Sequence, residues 1–290
     1  MAQKLDKFYT KSDIAKHLTD KMCEVLNIDK NNSLFLEPSA GDGAFLSYLP
    51  QYIAYDIKPD NINIKQADFL ALEPTWSKNV YSIGNPPFGK RSATAIQFLN
   101  KCIQTTKAVG FILPNTFKKW SVIKQIIPEA KLIYEETLDP NSFLSDGEDY
   151  SIRCIFQIWS TDSDYKDYTN YRLLKSPPIK HQDFNIWQYN GTKEAKKYVY
   201  ENWQIAVYRQ GYKDYTKKFF REQDYEEVKD AVENSTIQFF FIEPLTEQAK
   251  DIILNKIDFE ELASRNLATP GFGKADFVSA YTDILKATEI

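Results

Sequence analysis

The sequence predicts an α/β fold: a mostly parallel sheet covered by helices, closed by a last antiparallel strand and followed by a smaller C-terminal α+β domain. Two observations carry this. From residue 34 short apolar runs alternate with helix-like stretches, the pattern of successive βαβ units. Beyond residue 160 that regularity stops, and Tyr, Lys and Trp accumulate instead.

The elements follow in order. Near the N-terminus Thr10 or Ser12 can start a helix that carries Ile14, Ala15, Leu18, Met22 and Leu26 on one face. LFLEPS (34–39), YIAYDI (52–57), IKQADF (64–69), VYSIGN (80–85) and AVGFILP (108–114) read as strands, each ended by a polar or Gly/Pro cluster. Between the last two, residues 92–107 place Ala95, Ile96, Leu99, Cys102 and Ile103 at helical spacing, with Ser92 available as the N-cap. KLIYEETL (131–138) and SIRCIFQIW (151–159) are two late strands joined by the turn-rich DPNSFLSDGEDY, so an antiparallel hairpin closes the sheet. This places a first domain at 1–160 and a second at 161–290, where DYEEVKDAVENS and TEQAKDIILNKI read as helices and IQFFFIEPL as a strand.

Composition excludes several classes. At 290 residues, 43% hydrophobic and 26% charged, the chain is long and apolar enough to bury a core and lacks the signature of disorder. No run approaches a membrane span, and MAQKLDKFYTKSDIAKHL has no apolar centre, which predicts a cytoplasmic protein. Cys23, Cys102 and Cys154 form no C-x-x-C pair and His17 and His181 no zinc-ligand spacing, so no metal is expected. The net charge is −4, yet residues 165–222 hold nine Lys and three Arg against six Asp and Glu, together with nine of the 18 tyrosines. A local basic, aromatic surface is therefore hidden inside an acidic average.

In LFLEPSAGDGAF a strand ends in Glu37, and Gly41 and Gly43 flank Asp42, so the backbone can turn sharply and approach a ligand. By itself this suits a dinucleotide, S-adenosylmethionine or a plain tight turn. Asp56 ends the second run, where a carboxylate can accept from both hydroxyls of a ribose. Asp68 ends the third and can accept from an adenine amino group while Phe69 covers the ring. Each acid is alternatively a strand-end turn or a cap. Together they describe a nucleoside pocket.

YSIGNPPFGK (81–90) then puts two prolines between Asn85 and Phe88, directly after an apolar run. With this motif the chain resembles the S-adenosylmethionine-dependent DNA N6-adenine methyltransferases, whose signature after the fourth strand is Asn/Asp-Pro-Pro-aromatic. The resemblance covers roughly residues 8–159: FYTKSDIAKHL, EPSAGDG, Asp56, Asp68, NPPF and FILPNTF. Its motif order is that of the gamma class. Phe at the fourth motif position in place of the commoner Tyr is tolerated in several branches, including some acting on RNA.

What the resemblance implies is specific. The fold is the Rossmann-like sheet of class I methyltransferases. The cofactor is S-adenosylmethionine, held by Phe8, Tyr9, Thr10, Glu37, Ser39, Gly41, Gly43, Asp56, Asp68, Phe69 and Asn85. Asn85, Pro86, Pro87 and Phe88 form the catalytic loop, and Phe143 is the second aromatic beside the target base. An exocyclic amine is a poor nucleophile because its lone pair is delocalised into the ring. Two acceptors at a fixed angle, the Asn85 side-chain oxygen and the Pro86 carbonyl, favour the pyramidal nitrogen of the transition state, and proline stiffness keeps the carbonyl aimed.

Phe88 stacks on the purine. A base inside a duplex cannot reach such a pocket, so the partner is double-stranded DNA with its adenine turned out of the stack. Phe143 is otherwise an apolar loop anchor, and Thr10 otherwise a helix cap.

In the gamma-class arrangement residues 161–290 are a target-recognition domain, in which Lys196, Lys197, Lys217, Lys218 and Arg221 suit phosphate contact. The expected activity is site-specific adenine methylation of DNA. The alternatives are methylation of adenine in RNA, methylation of a protein glutamine amide, or a catalytically decayed DNA-binding specificity subunit.

Overall fold

The computed structural model describes residues 8–76, 79–145, 147–211, 214–266 and 269–288. The chain divides into two compact units, Met1–Leu173 and Leu174–Ile290. In the first, β1 (Tyr9–Thr10) and α1 (Ser12–Leu26) precede β2 (Leu34–Glu37), β3 (Tyr52–Asp56), β4 (Lys65–Gln66) and β5 (Val80–Gly84). Then come α2 (Ala93–Thr105), β6 (Ala108–Pro114), α3 (Trp120–Ile123), β7 (Lys131–Thr137), β8 (Phe143–Ser145), β9 (Glu148–Tyr150) and β10 (Cys154–Ser160).

Seven of these strands form one sheet in the order β4-β3-β2-β5-β6-β10-β7. β2 pairs parallel with β3 and with β5, and β5 parallel with β6. β10 is antiparallel to both β6 and β7, so it alone runs against the rest. All seven residues of β6 and all seven of β10 are buried, which places the core along the middle of the sheet. From β2 the chain steps outward through β3 and β4, then crosses back to the other side of β2 as β5. The order therefore reverses between β2 and β5, and a crevice opens outside their carboxyl ends.

Several expectations are corrected in detail. The third apolar run yields only the two-residue β4, because Asp68 accepts from the Leu70 amide (3.0 Å) and turns Phe69–Ala71 into a short 3-10 helix. Ser92 stands at the N-cap position of α2 but makes no side-chain cap. With φ +65° its hydroxyl instead shares a 2.7 Å hydrogen bond with Thr116. β7 and β10 pair as expected, but their connection is not a plain turn: it holds the hairpin β8–β9, to which β1 adds as a third strand.

The unit ends after Leu173 rather than near 160. Arg172, 9% exposed, explains the difference. Its guanidinium lies over the Trp159 ring and donates to the carbonyls of Ile123, Ile126, Ile127, Pro128 and Ala130. It thereby satisfies the orphan acceptors that follow α3 and ties residues 161–173 to the first unit.

The second unit is an antiparallel sheet of β11 (Phe184–Tyr189), β12 (Ile205–Gln210), β13 (Lys218–Phe220) and β14 (Gln238–Pro244), ordered β11-β14-β12-β13. Consecutive Phe239, Phe240, Phe241 and Ile242 are all buried, so both faces of β14 are covered. α4 (Arg221–Asn234), α5 (Glu247–Asp251) with a following π-helical turn, α6 (Phe259–Ser264) and α7 (Lys274–Thr288) complete the unit, which is α+β as expected. No helix among the described residues is long and apolar enough to cross a membrane.

Arg172→Ala strips five carbonyls of a buried, charged donor. We expect it to lower the stability of the first unit by about 3 kcal/mol, read as a shifted urea midpoint at unchanged slope.

Candidate active site

The crevice between β2 and β5 brings together most of the residues singled out above. β2 ends at Glu37 and β5 at Gly84, so the parallel register of Leu34–Leu36 with Val80–Ser82 sets Glu37 beside the entry to NPPF. A side chain at Gly84 has no room: its Cβ would lie 3.3 Å from Glu37 Cγ. Ser39 Oγ donates to the Asn85 carbonyl (3.4 Å), joining the glycine loop to the catalytic loop.

The glycine loop is closed from three sides. Gly41 N–H donates to Asp56 Oδ2 (2.8 Å), and the Lys58 amide donates to Asp56 Oδ1 (2.7 Å). Gly43 N–H donates to the Ala40 carbonyl (2.7 Å), forming the tight turn. Tyr9 packs against the loop: at φ +55° Gly41 would carry a Cβ only 3.1 Å from the Tyr9 ring. The Tyr9 hydroxyl in turn donates to Asp60, whose amide donates to the Gly41 carbonyl (3.0 Å). Asp56 thus holds the loop's shape. Each carboxylate oxygen keeps a second lone pair, so hydroxyl recognition is compatible with that role.

Two buried side-chain oxygens here have no hydrogen-bond partner: Glu37 Oε2 and Asn85 Oδ1. Glu37 is 2% exposed, and burial, followed by the carboxylates of Asp42 and Asp56, holds its pKa well above the usual carboxylate range. Asn85 Nδ2 donates to Thr10 Oγ1 (3.3 Å), which orients the amide and leaves its oxygen as the open acceptor. Orphaned buried acceptors are costly, and two in one crevice are the mark of a site shaped for donors that come from outside the chain. Beyond the motif, Arg91 and Ser92 both have positive φ. The Ser92–Thr116 hydrogen bond holds this strained turn to the NTF segment after β6.

The aromatic residues divide differently from the expectation. Tyr9 and Thr10 sit against Gly41 and Asn85. Phe8 does not join them in its ring contacts. Its ring meets Phe88 (5.2 Å between centroids, 62°), Phe143 (5.4 Å, 85°) and Tyr150 (5.5 Å, 22°). Phe88 is 5% and Phe143 0% exposed, so the faces expected to receive a base are covered in this structure, partly by Phe8.

The Phe69 ring is stacked against Trp76 (5.8 Å) and Phe98 (5.3 Å) and is 1% exposed, so it is packed in the core. Lys101 Nζ secures that turn by donating to the carbonyls of Phe69 (2.8 Å), Leu70 (3.1 Å) and Leu72. Asp68 spends one oxygen on the Leu70 cap.

Sequence reasoning did not single out Ile57, an apolar side chain that is 54% exposed directly after Asp56. Its position at the strand end was the available signal. Asp60 and Tyr150 carried none, since their roles depend on pairings across the fold.

In the second unit Lys196 Nζ donates to the Glu233 carbonyl (3.0 Å) and Lys197 lies over Tyr198 (5.5 Å). Lys217 pairs with Glu227 (2.8 Å), and Lys218 lies over Phe259 (5.5 Å). Arg221 is turned inward between Trp203 (5.3 Å) and Tyr225 (4.9 Å) and donates to the carbonyls of Val199 and Glu201. Its first duty is to the fold.

The strand order and the single reversed strand are those of the mostly parallel, Rossmann-like sheet that the sequence predicts. No protein-family profile and no curated protein matches the chain. Among similar solved structures is a candidate RNA methyltransferase from Pyrococcus horikoshii (14% identity, TM-score 0.43, covering 55% of this chain and 89% of that one). A second is a candidate class I S-adenosylmethionine-dependent methyltransferase from Listeria monocytogenes (15%, 0.43, 57% and 64%). A third is the modification subunit of a candidate type I restriction enzyme from Vibrio vulnificus (14%, 0.43, 95% and 60%). At these identities and scores the likenesses carry no argument about chemistry.

A carboxyl whose folded pKa is raised binds more protons in the folded than in the unfolded chain. Glu37 therefore makes stability fall as pH rises from the ordinary carboxylate range to its raised value. Glu37→Gln removes that dependence. We expect its thermal midpoint to exceed the wild type's at pH 8 and to approach it near pH 4.

Proposed function

We propose that the first unit transfers a methyl group from S-adenosylmethionine to the N6 amino group of adenine in DNA, acting on a base turned out of the duplex. The observation that carries this reading is the orphaned, Thr10-oriented Asn85 Oδ1 at the reversal point of the sheet, within one strand pair of the orphaned Glu37.

The crevice fits the cofactor on its own chemistry. Glu37 offers a buried, partnerless carboxylate suited to a cationic head group. Gly41 and Gly84 leave backbone where side chains would intrude, and Asp56 and Asp68 retain acceptor capacity for hydroxyl and amino donors. S-adenosylmethionine, when bound, supplies the electrophilic methyl group. A cation placed against Glu37 lowers its pKa, so binding releases a proton.

On the target side Asn85 Oδ1 accepts one hydrogen of the exocyclic amine, and the Pro86 carbonyl accepts the other. Withdrawing both hydrogens into fixed acceptors favours the pyramidal nitrogen and localises its lone pair. Pro86 and Pro87 hold those acceptors, because each fixes its own φ. No general base is required, since the nitrogen becomes acidic only after it has been alkylated. Phe88 and Phe143 line the space for the ring.

DNA is favoured over RNA by motif order and by the second unit, which we read as the target-recognition domain. Lys196, Lys197, Lys217 and Lys218 supply phosphate contacts there, and Arg221 supports the surface that presents them.

Asn85→Ala is expected to lower methyl transfer to unmodified duplex DNA by at least about 100-fold while leaving cofactor affinity within a few-fold. Radiolabel transfer and calorimetry check the two halves. Labelling of RNA with none of DNA overturns the substrate. Cofactor affinity that does not rise with pH overturns the role of Glu37.

A further inference from the structure

We infer that Phe8 stands in for the target base: its ring fills the aromatic cage of the free protein and leaves when a purine enters, and Tyr150 then becomes a stacking platform for that purine. The inference rests on the reading above that a flipped adenine is presented to Asn85.

Four rings form the cage, and Phe8 is at its centre, touching each of the other three. Its orientation is informative. Phe88 and Phe143 meet it edge-on, at 62° and 85°, whereas Tyr150 lies nearly parallel at 22°. A planar ring in that place therefore has Tyr150 as its face-on neighbour and the other two as walls. The place is also correct for an adenine. Phe8 is two residues from Thr10, which holds Asn85 Nδ2, and Phe88 is three residues beyond Asn85. The chain thus joins the Phe8 ring through Thr10, and the Phe88 ring through the NPPF loop, to the residue that carries the open acceptor.

The occupant and one wall of the cage are less buried than the other two rings. Phe88 and Phe143 are buried, while Phe8 is half-buried and Tyr150 is 40% exposed. On its C-terminal side Phe8 is followed by β1, whose two residues pair with Leu144 and Phe143, and by Lys11, whose amide donates to the Ser142 carbonyl (3.0 Å). Exchanging one aromatic ring for another keeps the apolar walls covered in both states, so the exchange costs little desolvation. It also reduces the apparent affinity for the base by the fraction of protein whose cage is open. An occupant of this kind makes the site respond to an extrahelical purine and not to smaller apolar groups.

Tyr150 thereby becomes a substrate-positioning residue that no motif announced. It lies in β9, two strands away from β1 in the small sheet, and is an exposed residue.

The test uses the full chain and single-stranded oligodeoxynucleotides bearing one 2-aminopurine or one abasic site. Binding is read as quenching of 2-aminopurine emission and as Kd relative to the abasic strand. Phe8→Ala is expected to improve discrimination for the purine about tenfold, and Tyr150→Ala to lose about tenfold together with the quenching. Phe8→Ala that weakens binding as Tyr150→Ala does makes Phe8 a permanent wall and overturns the proposal, and so does an unchanged Kd ratio.

Should Phe8→Ala fail to fold, 4-fluorophenylalanine at position 8 supplies the second readout. Its ¹⁹F resonance is expected to move toward the free amino acid's with the purine strand and not with the abasic one, and an unmoved line overturns the inference. Neither readout needs turnover. Displacement without methylation of any adenine sinks the functional reading alone, and methylation with an unmoved line sinks this inference alone.

Discussion

The parallel pairing of β2 with β5 is the constraint on which the rest of the first unit depends. It sets Glu37 and Asn85 at adjacent strand ends, and because the strand order reverses there, nothing from the sheet's own connections closes the gap. The remaining features are supports for that juxtaposition. Asp56 shapes the glycine loop, Thr10 orients the Asn85 amide, and Lys101 and Arg172 hold neighbouring turns by gathering carbonyls around one cation each. A change that slipped the β2–β5 register by one residue would turn the side chains of one strand, Glu37 among them, to the opposite face relative to the other.

The crevice is also where the chain tolerates what it avoids elsewhere. A carboxyl is kept from water with one oxygen unpartnered, an amide oxygen is left open, and two non-glycine residues in succession take left-handed conformations. Each is unfavourable alone. Their concentration at one strand pair, in a unit whose central strands are fully buried and paired, is the expected trade between a stable scaffold and a site whose partners arrive later.

Much of the first unit could be read from the chain because its signals are local. Alternating apolar runs locate β2, β3, β5 and β6 within a residue or two, and Gly41, Gly43 and NPPF mark the loops that must come close to something. What could not be read depends on pairing across long separations. Phe69 looks like a ligand-covering ring in sequence, yet Trp76 and Phe98 claim it, since a large ring next to a short 3-10 turn is cheaper to bury than to expose. Phe8 looks like its neighbours Tyr9 and Thr10, but its ring packs with Phe88, Phe143 and Tyr150, while Tyr9 meets the glycine loop and Thr10 the Asn85 amide, contacts that depend on the long-range pairing of β1 with β8. The basic count of residues 165–222 was correct as a count. It could not reveal that Arg221 is occupied by Trp203, Tyr225 and two carbonyls, because a charge tally carries no direction.

The smallest sheet has a consequence for how the protein is made. Tyr9 and Thr10 find their partners only at Leu144 and Phe143, so the stretch that orients Asn85 waits for a hairpin translated more than a hundred residues afterwards. During synthesis the scaffold of β2, β3, β5 and β6 can assemble while its reactive loop is still incompletely organised. That pairing closes late, across one very long loop, and a nascent chain stalled before the hairpin has the parallel strands without the strand that positions Thr10 against the Asn85 amide.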